Sequence, residues 1–290
     1  MNLNASCISC IVRREEEKIR PLSDETLKKE YMVRVLGLLS EHSGEPAPVA
    51  SVYLKELGEE MLGATPSFRE INKGYNRLML LTEPDLREKI AAAKDPLSAA
   101  MRYARVGNYI DFGAMENVDK EVLEGLLDRA LEEELDPGTY AAFLADLEKA
   151  ERLVYLTDNC GEIVADKLLI EELKRRYPGL SITAVVRGAE TINDATLIDA
   201  EEVGLTDVVP VMGSGVALPG TYLPFLSGEA RDALTGADVI IAKGQGNFET
   251  LHECGLNIYY LFLCKCELFT RRFGMKQYAG IFANERRILL

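Results

Sequence analysis

Asp158 and Asn159 are adjacent oxygen donors at the point where an apolar run, Leu153-Val154-Tyr155-Leu156-Thr157, gives way to Cys160-Gly161-Glu162. Such a run reads as a parallel strand covered on both faces, and in open parallel sheets ligands collect in the crevice beyond the carboxyl ends of the strands. A carboxylate beside an amide is a foothold for a hard cation such as Mg²⁺ or Mn²⁺, which takes oxygen ligands and retains water. The competing reading is an Asx turn or a helix cap, the everyday use of Asp and Asn between a strand and a helix.

Two further strand ends carry chemistry of the same kind. Ser181 to Val186 runs into Arg187-Gly188, with Asn193-Asp194 a short loop later, and Ala237 to Ala242 runs into Lys243-Gly244-Gln245-Gly246-Asn247. Adjacent parallel strands bring their ends within roughly 5 to 10 Å, so Asp194 is expected beside Asp158. Its alternative task is to cap a helix beginning near Ala195, with Thr191 and Asn193 as competing caps. Lys243 next to glycines that free backbone N–H groups offers a point charge and donors to a phosphoryl group, although an ordinary glycine turn would look similar. Gly213-Ser214-Gly215 reads first as a solvent loop and second as another phosphate cradle. The chain has no eight-residue Walker loop and no G-x-G-x-x-G after the first strand, which weakens nucleoside-triphosphate and dinucleotide readings.

These groups need a frame. Before residue 150 the chain reads as helical, starting with Ser23-Asp24-Glu25 as a cap and Leu27, Tyr31, Val35 and Leu38 on one face. Similar patterns follow at 49–62, 67–81, 84–93, 97–106, 120–134 and 139–150. From there strands at 153–157, 182–186 and 208–212 alternate with helices at 163–177 and 191–203, and two more strands are expected at 239–242 and 258–263. Strands alternating with crossover helices predict an α/β protein with a doubly wound, mainly parallel, Rossmann-like sheet, so the chain divides into a helical part, 1–150, and an α/β part, 151–290.

The 290 residues are 47% hydrophobic, enough for a substantial core, and carry a formal charge of -14. That balance excludes DNA and RNA as main ligands, because nucleic-acid affinity comes from clustered Lys and Arg. There is no apolar stretch of membrane-spanning length and no secretory signal, so a cytoplasmic protein without a membrane partner is expected. Oligomeric state is not legible. Cys7 and Cys10 have metal-ligand spacing and Cys264 and Cys266 follow the last apolar strand, so a four-thiolate zinc site is conceivable beside a disulfide or free thiols. Cys160 and Cys254 read as small buried hydrophobes. With only His42 and His252 a multi-histidine centre is excluded by count.

Taken together, Cys7-Ile8-Ser9-Cys10, Gly107-Asn108-Tyr109-Ile110-Asp111-Phe112-Gly113, Asp158-Asn159-Cys160-Gly161-Glu162, Asn193-Asp194 and Lys243-Gly244-Gln245-Gly246-Asn247-Phe248-Glu249 resemble the damage-control phosphatases, long catalogued as domain of unknown function 89. The resemblance covers nearly the whole chain, and the opening Cys-x-x-Cys looks like the prokaryotic and archaeal branch. It implies that Asp158, Asn159 and Asp194 hold one divalent cation (Mn²⁺, Mg²⁺, Co²⁺ or Ni²⁺), that Lys243 contacts the substrate phosphate, and that the substrates are phosphate esters of small metabolites.

On that reading Asp158, Glu162 and Lys243 are the catalytic candidates. Asn108, Asp111, Ser214, Gly244, Gly246 and Asn247 are the substrate-binding ones. A water deprotonated by Asp158 or Glu162 is the preferred nucleophile over an aspartyl phosphate on Asp158. Replacing Lys243 with Met would lower turnover and leave metal affinity nearly intact. The other function classes are methyl transfer from S-adenosylmethionine to a carboxyl group and a non-catalytic sugar-phosphate sensor.

Overall fold

The apolar runs after residue 150 become one sheet in the computed structural model, which describes residues 1–63, 67–110 and 120–288. Asp111 lies outside the described residues. Helices come first: α1 (Ala5–Ile19), α2 (Glu25–Glu41), α3 (Ala47–Leu62), α4 (Arg69–Ala92), α5 (Pro96–Gly107), α6 (Lys120–Asp128) and α7 (Pro137–Leu147). Strands then alternate with helices: β1 (Arg152–Leu156), α8 (Glu162–Arg176), β2 (Ser181–Val186), α9 (Leu197–Glu202), β3 (Val211–Gly213), α10 (Gly228–Thr235), β4 (Val239–Lys243), α11 (Gly244–Leu251), β5 (Ile258–Leu263), α12 (Glu267–Phe273) and β6 (Gly280–Asn284).

The sheet order is β3-β2-β1-β4-β5-β6. The first five strands are parallel, and β6 runs antiparallel to β5. Every residue of β4 and β5 is buried, as a strand covered by helices on both faces requires. Side chains alternate between two cores: Leu153 and Tyr155 face α4, α5 and α8, while Val154 and Leu156 face the opposite side with α10, α11 and α12. From β1 the chain winds outward through β2 and β3, then returns to β4 and winds the other way. The crevice between the carboxyl ends of β1 and β4 is therefore the topological switch point.

Helix α5 is buried along nearly its whole length and packs on α8 and β5, so residues from before and after position 150 share one core. A separate small core, with Ile19, Tyr31, Val35, Leu39, Leu54 and Leu57, joins α1 to α3. Among the described residues no helix is long and apolar enough to cross a membrane.

Several expected elements differ. Segments 67–81 and 84–93 form the single helix α4, with Pro84 inside it. Proline removes one i→i−4 bond, but burial of Met79, Leu86 and Ile90 on both sides of it carries the helix through. The expected strand 208–212 starts only at Val211, because Pro210 has no N–H for the ladder and its carbonyl accepts from Ala184. The expected helix 191–203 is reduced to α9. Residues 191–193 turn, with Asp194 N–H bonded to the Thr191 carbonyl, bridges Asn159 to Asp194 and Arg187 to Thr196 fix the next residues, and a Thr196–Asp199 capping box starts the helix, so Asp194 is not its cap. Helix α1 and strand β6 add to the expected elements.

The four-thiolate site is not formed. All six cysteines are free, and among the described residues no group of three or more His, Cys, Asp or Glu side chains is arranged to hold a metal. Burial pushes the Cys7 thiol up to about 11 and the Cys264 thiol up to about 12, so neither offers a thiolate at neutral pH.

Candidate active site

The last bond of β1 is Thr157 N–H to the Val185 carbonyl, 3.1 Å, after which the chain turns toward the loop that follows β2. Cys160 N–H donates to the Asn193 carbonyl and Ala195 N–H to the Asp158 carbonyl, both at 2.8 Å, forming a short antiparallel bridge between Asn159 and Asp194. The bridge sets Asp158, Asn159 and Asp194 side by side. Gly161 closes the turn at φ +78°, where a Cβ would meet Ile110 Cδ1 at 2.9 Å. On the facing loop Ile192, a β-branched residue, has φ +46° and is held by Asn72 Nδ2 on its carbonyl at 3.3 Å. A β-branched side chain in that region is strained, and this one lines the cavity two residues before Asp194.

Asp158 and Asp194 are bridged by Arg187. Its Nε donates to Asp194 Oδ2 at 2.5 Å and its Nη2 to Asp158 Oδ1 at 3.0 Å. The guanidinium is only 2% exposed and stands at the end of β2, as the strand pattern requires. Two facing carboxylates repel, and the arginine offsets one charge of the two. The other oxygen of Asp158, Oδ2, accepts from Asn159 Nδ2 at 2.8 Å and Asn108 Nδ2 at 3.0 Å.

A second cluster lies directly behind the first. Lys243 Nζ donates to Glu162 Oε1 at 2.5 Å, Asp166 Oδ1 at 2.7 Å and the Ala104 carbonyl at 2.8 Å. An ammonium has three donors, and all three are used. Burial alone would lower the Lys243 ammonium, but Asp166 and Glu162 hold it above its ordinary value. Glu162 Oε2 accepts from Asn159 Nδ2 at 2.8 Å, Asn108 Nδ2 at 3.0 Å and Asn159 N–H at 3.3 Å. Asn108, whose Oδ1 accepts Leu263 N–H from β5, thus ties the two clusters together.

Lys243, expected to face a phosphate, is therefore enclosed, and so is Glu162, expected as a base; neither lines the cavity. Asn247 is also internal: its Nδ2 donates to the Lys243 and Thr157 carbonyls and its Oδ1 accepts from Thr221. Ser214 accepts Gly188 N–H and donates to the Val216 carbonyl, bracing the loop after β3 away from the cavity. The glycines have other tasks. Gly244, at φ +78°, opens α11 directly against Asp158, where a Cβ would fall 1.9 Å from Oδ2. Gly246 lets the same helix turn pass the Pro219 carbonyl, 2.7 Å from where its Cβ would be.

The open face of Asp158, Asn159 and Asp194 forms one end of a cavity of about 650 Å³. Its far wall is α1, including Ser6, Cys10, Arg13 and Arg14, with Ser51 of α3 and Gln245 of α11 beside it. Sequence reasoning missed Arg187, Asp166 and α1. The signals were present: a cation at a strand end opposite two acids, an acid four residues after Glu162 on one helix face, and Asn4 as a cap ahead of Ile8, Ile11 and Val12. The Asn4 side chain does accept from Ser6 and Cys7 N–H.

A doubly wound sheet with acids, an amide and glycines gathered at its switch point defines an α/β protein with a strand-end ligand site. Residues 3–281 match the Damage-control phosphatase ARMT1-like domain, and the chain belongs to that family. It is 32% identical over 287 residues to a damage-control phosphatase of Archaeoglobus fulgidus, covering 95% of this chain and 96% of the relative. It is 29% identical over 276 residues to a damage-control phosphatase of Pyrococcus horikoshii, covering 93% and 94%. The crystal structure of a DUF89 family protein from Pyrococcus horikoshii matches with a TM-score of 0.80 at 27% identity, covering 98% of this chain and 99% of that one. These relationships support a phosphatase role.

Proposed function

We propose that this chain is a divalent-metal-dependent phosphatase acting on phosphate monoesters of small metabolites in the cytoplasm. The carrying observation is the convergence of Asp158, Asn159 and Asp194 at the switch-point end of the cavity, in a chain of this family. The donor chemistry fits a cation. Asn159 commits its Nδ2 to Asp158 and Glu162, which leaves Oδ1 as its donor atom, and two carboxylates with an amide oxygen make an all-oxygen set suited to Mn²⁺ or Mg²⁺, with Co²⁺ and Ni²⁺ as further occupants. A bound cation supplies Lewis-acid polarisation of the phosphoryl oxygens.

The chain's own residues do the rest. Arg187 holds the two carboxylates in register, and the missing Cβ of Gly244 lets Asp158 sit against the start of α11. The first amides of a helix have no intrahelical acceptor, and Gln245 and Gly246 line the cavity, so this turn is the phosphate cradle. Lys243 and Glu162 act from behind, by fixing Asn159. Both oxygens of Asp158 are bonded, which suits a ligand better than a covalent nucleophile. Water then attacks phosphorus in line, the bond to the leaving alcohol breaks, and inorganic phosphate and the alcohol are released. Ser6, Ser9, Ser51 and Gln245 on the walls provide partners for a hydroxyl-rich substrate such as a sugar phosphate.

The test is hydrolysis of para-nitrophenyl phosphate and a panel of sugar phosphates by purified protein with Mn²⁺ or Mg²⁺, with and without EDTA. Turnover that requires the cation is expected. Undiminished turnover in metal-free protein would refute the metal reading, and sugar-phosphate binding without turnover would make the chain a sensor.

A further inference from the structure

Asp166 follows Glu162 by four residues on α8, is fully buried, and does not line the cavity. Its Oδ1 accepts two bonds, from Lys243 Nζ at 2.7 Å and from the Tyr155 hydroxyl at 2.7 Å, while its Oδ2 has no hydrogen-bond partner. A buried acid kept with one oxygen unsatisfied is costly, so the bonds on the other must return something. They hold the Lys243 ammonium one helix turn along α8 from Glu162. The same ammonium donates to Glu162 Oε1, and Glu162 Oε2 holds both the amide nitrogen and the backbone N–H of Asn159.

We propose that Asp166 is a positioning residue for the cation site, acting through the buried series Tyr155, Asp166, Lys243, Glu162 and Asn159. The inference rests on the metal reading of Asp158, Asn159 and Asp194. Its physical content is directional. Tyr155 comes from near the carboxyl end of β1 and Asp166 from the second turn of α8, two elements fixed in the main core. Lys243 is thereby referenced to rigid backbone through Asp166, and it passes that reference to Glu162. Without Asp166 the ammonium keeps only Glu162 and the Ala104 carbonyl as acceptors, so Glu162 Oε1 can shift with it and strain the bonds that Oε2 makes to Asn159. The Asn159 Oδ1 atom then loses its fixed direction. Partners of metal ligands typically set affinity at this level, with losses of about 10- to 100-fold on removal.

The experiment is calorimetric titration of metal-free protein with Mn²⁺, alongside thermal unfolding, for wild type, Asp166→Ala, Asp166→Asn and Tyr155→Phe. Asp166→Ala is expected to weaken Mn²⁺ binding by about 10-fold or more. Asp166→Asn, which keeps an oxygen acceptor for Lys243 and Tyr155, should return affinity close to wild type. Tyr155→Phe removes one bond with little change of packing and should weaken binding several-fold, so a poorly folding alanine variant leaves the question answerable. Phe143→Leu, in the same core but off the series, is the control for stability: it should lower the unfolding temperature with Mn²⁺ affinity kept. Wild-type affinity in both folded Asp166→Ala and Tyr155→Phe overturns the proposal, as does an asparagine variant as weak as alanine. Absence of Mn²⁺ binding by the wild type is a different failure, that of the metal reading itself.

Discussion

The two charge clusters have the same composition, one cation and two carboxylates, and opposite environments. Arg187 with Asp158 and Asp194 borders the cavity, the acids 6% and 4% exposed, whereas Lys243 with Glu162 and Asp166 is 0% exposed throughout. Asn108 and Asn159 each donate to one acid of either cluster, so the clusters share a wall. The open cluster can exchange an internal partner for an external one. The closed cluster has to satisfy its charges internally, and it nearly does, with the Asp166 Oδ2 atom as the exception. Geometry of this kind makes one cluster a binding site and the other its mount. Open and closed, and not residue type, is what separates them.

Lys243→Met should give the largest effect. It leaves two carboxylates in a fully buried place with no cation, and breaking a buried pair by removing one partner costs about 3 to 5 kcal/mol. Denaturant unfolding should show that loss, and Mn²⁺ affinity should fall with it because Glu162 is released. This differs from the outcome expected of a lysine that faces substrate, where turnover falls and metal affinity survives. A Lys243→Met protein with intact stability and Mn²⁺ affinity would show that the closed cluster is not the mount.

Arg187→Met should be milder and, unlike Lys243→Met, repairable. Without the guanidinium the repulsion between Asp158 and Asp194 is no longer offset by that cation, so the metal-free protein should lose about 1 to 3 kcal/mol. A ligand that binds only the folded state stabilises by mass action, and a cation taken up by the same carboxylates should restore most of the deficit. Unfolding of both variants across a Mn²⁺ series measures this. Equal rescue of Lys243→Met and Arg187→Met would erase the distinction between the clusters.

The sequence made the sheet legible because buried parallel strands are continuous apolar runs, and their ends pointed to Asp158, Asn159 and Asp194. What it did not carry was depth. Lys243 and Arg187 both follow strands, yet one closes inward on α8 and the other outward on two acids, and that choice depends on which side chain the long-range packing of α5 covers. Asn108 was legible as a polar residue from the helical half that reaches the site, but its position between two clusters comes from α5 wedging against α8 and β5. The second half of helix α1 is the charged run Arg13 to Lys18, which masks its periodicity, although its Asn4 cap and the apolar spacing of Ile8, Ile11 and Val12 were there. Strand β6 is an edge strand reading Gly-Ile-Phe-Ala-Asn, with two large apolar residues and no continuous apolar run of the kind that marks β1, β4 and β5.

The smallest effect is a pH dependence that belongs to the closed cluster alone. Burial pushes the Asp166 carboxyl up to about 7, against the opposing pull of Lys243 and with a further push from Glu162. In the unfolded chain the same group titrates near an ordinary value of about 4. Between these values the folded state holds a proton that the unfolded state has released, so stability is full below about pH 4 and declines as pH rises toward 7, then stays level. Lys243 on β4, Glu162 on α8 and Tyr155 on β1 are the groups that face Asp166 across this range, and the lysine and tyrosine keep their protons throughout it. Asp166→Asn keeps the shape and removes the titration. The stability of the asparagine variant relative to wild type should therefore improve from pH 5 to pH 8 in metal-free urea unfolding. A gap between Asp166→Asn and wild type that stays constant over this interval would mean that Asp166 is ionised in the fold, with Lys243 fully matching its charge.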